Sequence, residues 1–185
     1  MGRTQAANDR PRTAPGPVSS SPMRLPDGID VEGPVQAEVF VIWLDGGRLA
    51  LTGPCGSAPW RIEVAETEHP VQTVARIVRA EIGEPILVHS TSWRRDGRAV
   101  ILSFIVVIAP ALVGDMASAR IGRADLARSA ASEAPREIGY EQVLEHGLRH
   151  LAWLAADDPV VSQGLGAPWR TALTGYVPEP FRALD

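Results

Sequence analysis

The stretch EHPVQTVARIVRAEIG, residues 68–83, decides the fold class. Pro70 suits the first position of a helix, and Gly83 suits the position just past its end. The residues between them predict a helix over 70–82. Its apolar positions recur at helical spacing and form one core-facing stripe: Val71, Val74, Ala75, Val78 and Ile82.

Strand-type segments flank this helix on both sides. A β-type run at 39–44, with order expected from Val35, precedes the turn Asp45-Gly46-Gly47 and a returning run at 48–51. Short strands at 60–64 and 86–93 follow, and the turn Asp96-Gly97 leads into a long buried strand at 99–108. The pattern predicts an α/β domain.

The remainder predicts helices and a tail. Residues 110–138 favour a loop with a short helix at 123–131, 140–156 predict a strong amphipathic helix, and 159–172 predict short helical pieces. Residues 1–34 contain six prolines and few apolar side chains, which is typical of disorder. We therefore expect a disordered tail at 1–34, a domain at 35–156 and a C-terminal helical extension at 157–185.

Composition excludes several classes of function. The chain has 185 residues and a formal net charge of −4, so nothing favours nucleic acid or an anionic membrane as partner. All 18 basic residues are Arg, typical of high-GC bacterial-type composition, and this excludes Schiff-base chemistry and a P-loop lysine. Cys55 is the only cysteine, which excludes an intrachain disulfide. No signal-peptide core or membrane-length apolar run is found, so we expect a soluble, cytoplasmic protein.

The helix at 70–82 also carries a motif. Glu68, seven intervening residues, Arg76, Val78, Glu81 and Gly83 fall in the register of the Nudix box. Together with the order of strands and helix, these residues resemble the Nudix family of nucleoside diphosphate hydrolases over about 35–155. The resemblance implies a Nudix-like α/β/α sandwich with a mixed sheet, and Mg²⁺- or Mn²⁺-dependent hydrolysis.

The chain departs from this box at three positions. Ile62 stands at the leading glycine, Ile77 at the glutamate after the arginine, and Ala80 at the first of the paired glutamates. Helical spacing places 77, 80, 81 and 84 on one face, where the family binds its metal through carboxylates.

The resemblance makes Glu81 the candidate catalytic residue and metal ligand, with Glu84 as the second metal ligand. Glu68 and Arg76 are the candidate cofactor-binding residues. Glu63 and Glu66 could substitute as ligands.

These departures favour a non-catalytic module that senses a nucleotide-type ligand or binds a protein. Such a module would hold a diphosphate through Arg side chains and aromatic stacking. The alternative is a divergent Mg²⁺- or Mn²⁺-dependent hydrolase of nucleoside diphosphate derivatives. A third hypothesis is a homo-oligomeric subunit that associates through the helix at 140–156 and the aromatic C-terminus.

Other candidate sites have simpler interpretations. His146 and His150 are spaced for metal binding, but we expect two solvated histidines beside Glu141, Glu145 and Arg149. Asp158 before Pro159 is typical of a helix cap. We expect Trp43, Trp93 and Trp153 in the core. Trp60 and Trp169 could be partly exposed, but for Trp169, with Tyr176 and Phe181, we expect packing on the domain rather than an interaction patch.

Overall fold

The computed structural model describes residues 33–124 and 138–176. Within these two ranges, six strands and three helices follow in the order β1, β2, β3, α1, β4, β5, β6, α2, α3. Their bounds are β1 Val35–Asp45, β2 Arg48–Thr52, β3 Trp60–Val64, α1 Pro70–Glu81, β4 Leu87–Asp96, β5 Ala99–Val107, β6 Ser118–Arg120, α2 Tyr140–Asp157 and α3 Pro159–Leu173. The order from β1 to β5 is the one that the resemblance implies.

The strands form one mixed sheet in the order β4-β5-β1-β2-β6. β3 pairs with the first part of β1, on the same edge that pairs with β2 further along the strand. β1 runs parallel to β5 and antiparallel to β2 and β3. β1 is the longest of these strands and has neighbours along both edges. Most of its side chains are buried. The predicted mixed sheet is confirmed.

Helices cover both faces of this sheet. On one face, Val74 and Val78 of α1 pack against Val39, Val41 and neighbouring strand residues. On the other, α2 and α3 pack against a second core that includes Phe40, Ile42, Ile105 and Val107. The predicted α/β fold with a C-terminal helical region is therefore confirmed. The apolar stripe of α2 is buried within the chain: Val143, Leu144, Leu148 and Leu151.

β4 departs from the prediction because it contains a bulge. The pairing register with β5 shifts between Ser90 and Ser92, and the side chain of Thr91 turns inward to donate to the Ser103 carbonyl at 3.3 Å. Trp93 therefore faces outward on the edge strand and is 45 % exposed. The expectation of a core position for Trp93 was wrong, since a one-residue shift moves a strand side chain to the other face.

The segment predicted as a loop at 110–138 contains one further strand. Pro110–Leu112 form a 3-10 turn, and Ser118–Arg120 pair with β2 as β6. Three residues are too few to show an alternating pattern, so the sequence did not reveal this strand. Most of the predicted helix at 123–131 and almost all of the predicted tail at 1–34 lie outside the described residues.

The C-terminal segment forms α3, which is interrupted as the predicted short helical pieces imply. Asp158 caps α3 by accepting hydrogen bonds from the backbone N–H groups of Val160 and Val161, which confirms the predicted cap. Gly166 has a φ of +77°, which interrupts the helix two residues before Pro168. Trp169 is buried with Leu173 against α2, so the expectation that it packs on the domain is confirmed. No helix in the described ranges combines the length and apolarity needed to cross a bilayer.

Candidate functional site

Glu68 and Arg76, the two polar residues that open the predicted box, form an ion pair. The Arg76 guanidinium donates to both carboxylate oxygens of Glu68 at 3.2 Å, and the Thr73 hydroxyl donates to the same carboxylate at 2.7 Å. The Thr73 hydrogen bond, and then Arg76, hold the pKa of Glu68 below its usual value. The seven residues between Glu68 and Arg76 therefore correspond to a contact between the segment just before α1 and the middle of the helix.

Glu84, a candidate metal ligand, is also paired with arginine. Both its oxygens accept from the Arg79 guanidinium, one of them at 2.8 Å. Because of this hydrogen bond the pKa of Glu84 lies below its usual value. The carboxylate would have to leave a cation before it could bind a metal.

Glu81, the candidate catalytic residue, is exposed at the last turn of α1. Ile77, one turn earlier, packs against the core on this side of the sheet, and Ala80 is exposed. Within 33–124 and 138–176, no three His, Cys, Asp or Glu side chains are placed to hold a metal ion. The side chains on this face therefore do not fit an Mg²⁺ or Mn²⁺ site, which needs several oxygen ligands.

A second charged site lies inside the sheet. Glu38, in the middle of β1, is only 1 % exposed, and its carboxylate accepts from Arg94 of β4 at 2.7 and 2.8 Å. Arg61 of β3 is 2.9 Å from the same carboxylate. The hydrogen bond to Glu38 raises the pKa of Arg94. Three strands are thereby joined by one buried carboxylate.

A third charged site joins α2 to the chain after β6. Glu145 is 1 % exposed and accepts from Arg123 at 2.7 and 3.0 Å and from Arg149 at 3.0 Å. Burial alone would raise the pKa of Glu145, but the hydrogen bonds from both arginines outweigh it, so the pKa is lowered. Arg123 also donates to the Gly175 carbonyl and stacks over the ring of Tyr176 at 4.2 Å.

A cleft opens beside this third site, between β2, β6 and the first turns of α2. Leu51, Ala119 and Leu144 line its apolar part, while Arg123, Tyr140 and Glu141 line its polar part. Tyr140 is 41 % exposed, and its pKa is raised by the hydrogen bond to Glu141. An apolar floor with a few polar groups is the usual composition of a small-molecule site.

The histidines of α2 are not the solvated pair expected from the sequence. His150 is buried, and its Nδ1 lies 2.9 Å from Nε2 of His89 on β4. Glu145, expected in solvent beside them, is buried as well. The expectation failed because it assigned the polar residues of α2 to its solvent side, whereas His89 and Arg123 reach His150 and Glu145 from distant segments.

Neither Glu38 nor Glu145 was selected from the sequence. One signal was available for each: Glu38 stands within a buried apolar strand, and Glu145 stands within the apolar stripe of α2. Charged side chains are almost never fully buried unless they are paired, so a charge at a buried position indicates that it has a partner. The identity of that partner cannot be read from the sequence.

Comparisons with known proteins include a distant structural neighbour. No family model and no curated protein matches the chain. Among solved structures, the crystal structure of Shewanella oneidensis NrtR is similar with a TM-score of 0.49 and 14 % sequence identity. The similarity covers 81 % of this chain and 80 % of that chain. The fold described above rests on the strand order and layers of this chain itself.

Proposed function

We propose that this protein is a non-hydrolytic, Nudix-like module that binds a small nucleotide-type ligand without a metal ion. One observation carries the proposal: α1 does not present a cluster of free carboxylates. Glu68 is bound to Arg76 and Glu84 to Arg79, while Ile77 and Ala80 occupy the other positions of that face. Only Glu81 remains, and one carboxylate is too few to bind a divalent cation without further ligands.

The cleft beside α2 is the proposed ligand site. Its apolar lining would accept a planar base, the exposed ring of Tyr140 would stack on that base, and the exposed Arg120, which also lines the cleft, would attract phosphate. Arginine binds phosphate through paired N–H donors and needs no metal to do so. This combination matches the arginine and aromatic recognition expected from the sequence.

The test is ADP binding by calorimetry with EDTA, compared between wild type, Tyr140→Ala and Val160→Ala. Loss of a stacking side chain costs about 1–3 kcal/mol per base, so Tyr140→Ala should weaken binding by roughly fivefold to 150-fold. Val160 is the matched control because it is an exposed apolar residue at the start of α3, away from the cleft. Its replacement should leave ADP affinity unchanged.

Phosphate release from ADP and related nucleoside diphosphate derivatives tests the non-hydrolytic part. We expect no turnover with Mg²⁺ or Mn²⁺ in wild type or in Glu81→Ala. Metal-dependent turnover that disappears in Glu81→Ala would establish the divergent hydrolase instead. ADP binding that is absent, or equal in Tyr140→Ala and wild type, would overturn the proposed ligand site.

A further inference from the structure

Two histidines from distant parts of the chain meet between the edge of the sheet and α2. Nε2 of His89 lies 2.9 Å from Nδ1 of His150, and the two rings stack with centroids 4.8 Å apart. One nitrogen must donate the shared hydrogen and the other must accept it with its lone pair. The contact therefore requires that at least one of the two imidazoles be neutral at this position.

Among the residues that the structure describes, the charged groups around the pair come mainly from α2. His146 lies one turn before His150, and the ring of Trp153 packs on His150 at 5.6 Å. Glu145 and Arg149 flank them on the helix and are bound to each other, with Arg123 on the same carboxylate. On β4 the neighbours are Ser90 and Thr91, and on β5 the residue opposite His89 is Ile105.

This environment disfavours the charged form of both rings. Burial, and then the neighbouring His150, lower the pKa of His89 to about 4. Burial, and then His146, lower the pKa of His150. Both imidazoles are therefore neutral at pH 7, and the hydrogen bond between them is intact.

We propose that the His89–His150 contact is an acid-sensitive latch between β4 and α2, closed while the imidazoles are neutral and opened when they are protonated. Once both rings carry a proton on each nitrogen, no lone pair is left to accept the hydrogen bond. Two cations would then face each other at hydrogen-bond distance, so the rings must separate.

The latch lies beside a close approach of α2 to the sheet. A Cβ atom added at Gly147 would lie 2.9 Å from the side chain of Ile105, so the helix has almost no space between itself and β5 here. Separation of the two rings must move α2 away from β4, since the helix backbone already touches the sheet. The latch does not depend on the proposed ligand.

The direction of the pH dependence follows from the lowered pKa values. The unfolded chain takes up protons on these histidines near pH 6.5, whereas the folded chain takes up a proton on His89 only near pH 4. The stability from the latch is therefore complete above about pH 6.5 and is lost as the pH falls towards 4. Within this window, each proton that binds only to the unfolded chain lowers the folding equilibrium constant about tenfold for every unit by which the pH falls.

The first test is an NMR titration of the histidine side chains and backbone amides of the full-length wild-type protein from pH 7.5 to 4. We expect His89 to titrate well below the usual histidine range, with amide shifts of residues 147–153 following the same curve. A His89 that titrates in the usual range, or α2 amides that do not follow it, would overturn the proposal.

The second test compares urea unfolding at pH 7 and pH 5 for wild type, His89→Phe and His69→Gln. Phenylalanine keeps a ring at the contact but cannot titrate, so His89→Phe should lose at least half of the wild-type dependence of the folding constant on pH. His69 is an exposed histidine before α1, and its replacement should keep the full dependence. Equal dependence in wild type and His89→Phe would contradict the latch, and if His89→Phe does not fold, the wild-type titration decides.

Discussion

The charged residues of α1 and those of α2 occupy opposite environments. At the two ends of α1, Glu68 and Glu84 each bind one arginine of the helix and remain in contact with solvent. On α2, Glu145 is buried and has two arginines, one of them from the chain after β6. The first arrangement can be read from local spacing, whereas the second brings distant segments together and stabilises the fold. Of these two helices, it is α2, which lacks the motif, that carries the buried carboxylate.

The largest effect is expected for Glu145→Ala. Removal of this carboxylate leaves Arg123 and Arg149 without their shared partner and removes the tie between α2 and the chain after β6. Loss of one member of a buried ion pair costs about 3–5 kcal/mol. Urea unfolding at pH 7 should show this loss, and the control Glu141→Ala, an exposed acid on the same helix, should not.

The same carboxylate gives the wild type a defined acid dependence. Because the pKa of Glu145 is lowered in the folded state, its contribution is present above the pKa of an unfolded carboxyl and is lost as the pH falls through the folded value. Glu145→Ala should therefore lose less stability than wild type when the pH is lowered into the carboxyl range. An equal loss in both proteins would mean that Glu145 is not held by its arginines.

An intermediate effect is expected for Gly147→Ala on the buried side of α2. The new methyl group would lie 2.9 Å from Cδ1 and Cγ1 of Ile105, and overpacking of this kind costs about 1–3 kcal/mol. Gly164→Ala on α3 is the matched control, because nothing lies within 4 Å of the added Cβ atom. Thermal unfolding should show destabilisation for the first variant and none for the second, since alanine is favoured over glycine in an open helical position.

The smallest effect is expected for Glu84→Gln on the surface of α1. The carboxylate and Arg79 are both exposed, and exposed ion pairs add little to stability because water screens them. The midpoint of thermal unfolding should be unchanged from wild type. A clearly lower midpoint for Glu84→Gln would show that the exposed ion pair at α1 and the buried ion pairs of α2 differ less in their contribution to stability than their exposure indicates.

The fold could be predicted to a large extent because its signals are local. Pro70 and Gly83 bound α1 closely, the helical spacing identifies its buried stripe, and the Asp45-Gly46-Gly47 turn places β1 and β2. β6 and the bulge at Ser90 and Ser92 could not be predicted, because each is defined by the strand it pairs with. The same reason explains the error at Trp93, whose face depends on that bulge.

The candidate site was predicted only in part. The spacing of Glu68 and Arg76 corresponds to a real contact, in which Glu68, two residues before α1, accepts from Arg76 of the helix. The roles of Glu81 and Glu84 as metal ligands and of Glu68 and Arg76 in ligand binding remain predictions. The cleft beside Tyr140 was not predicted, because its residues come from β2, β6, the chain after β6 and α2.

The sequence by itself determined the α/β class, the helix bounds, the absence of lysine chemistry and the loss of carboxylates at Ile77 and Ala80. Each depends on composition or on neighbours within a few residues. Only the tertiary structure decided that Glu38 and Glu145 are buried and that His89 meets His150. A buried polar group is stable only where partners from other segments satisfy it, and those partners become neighbours only when the chain has folded.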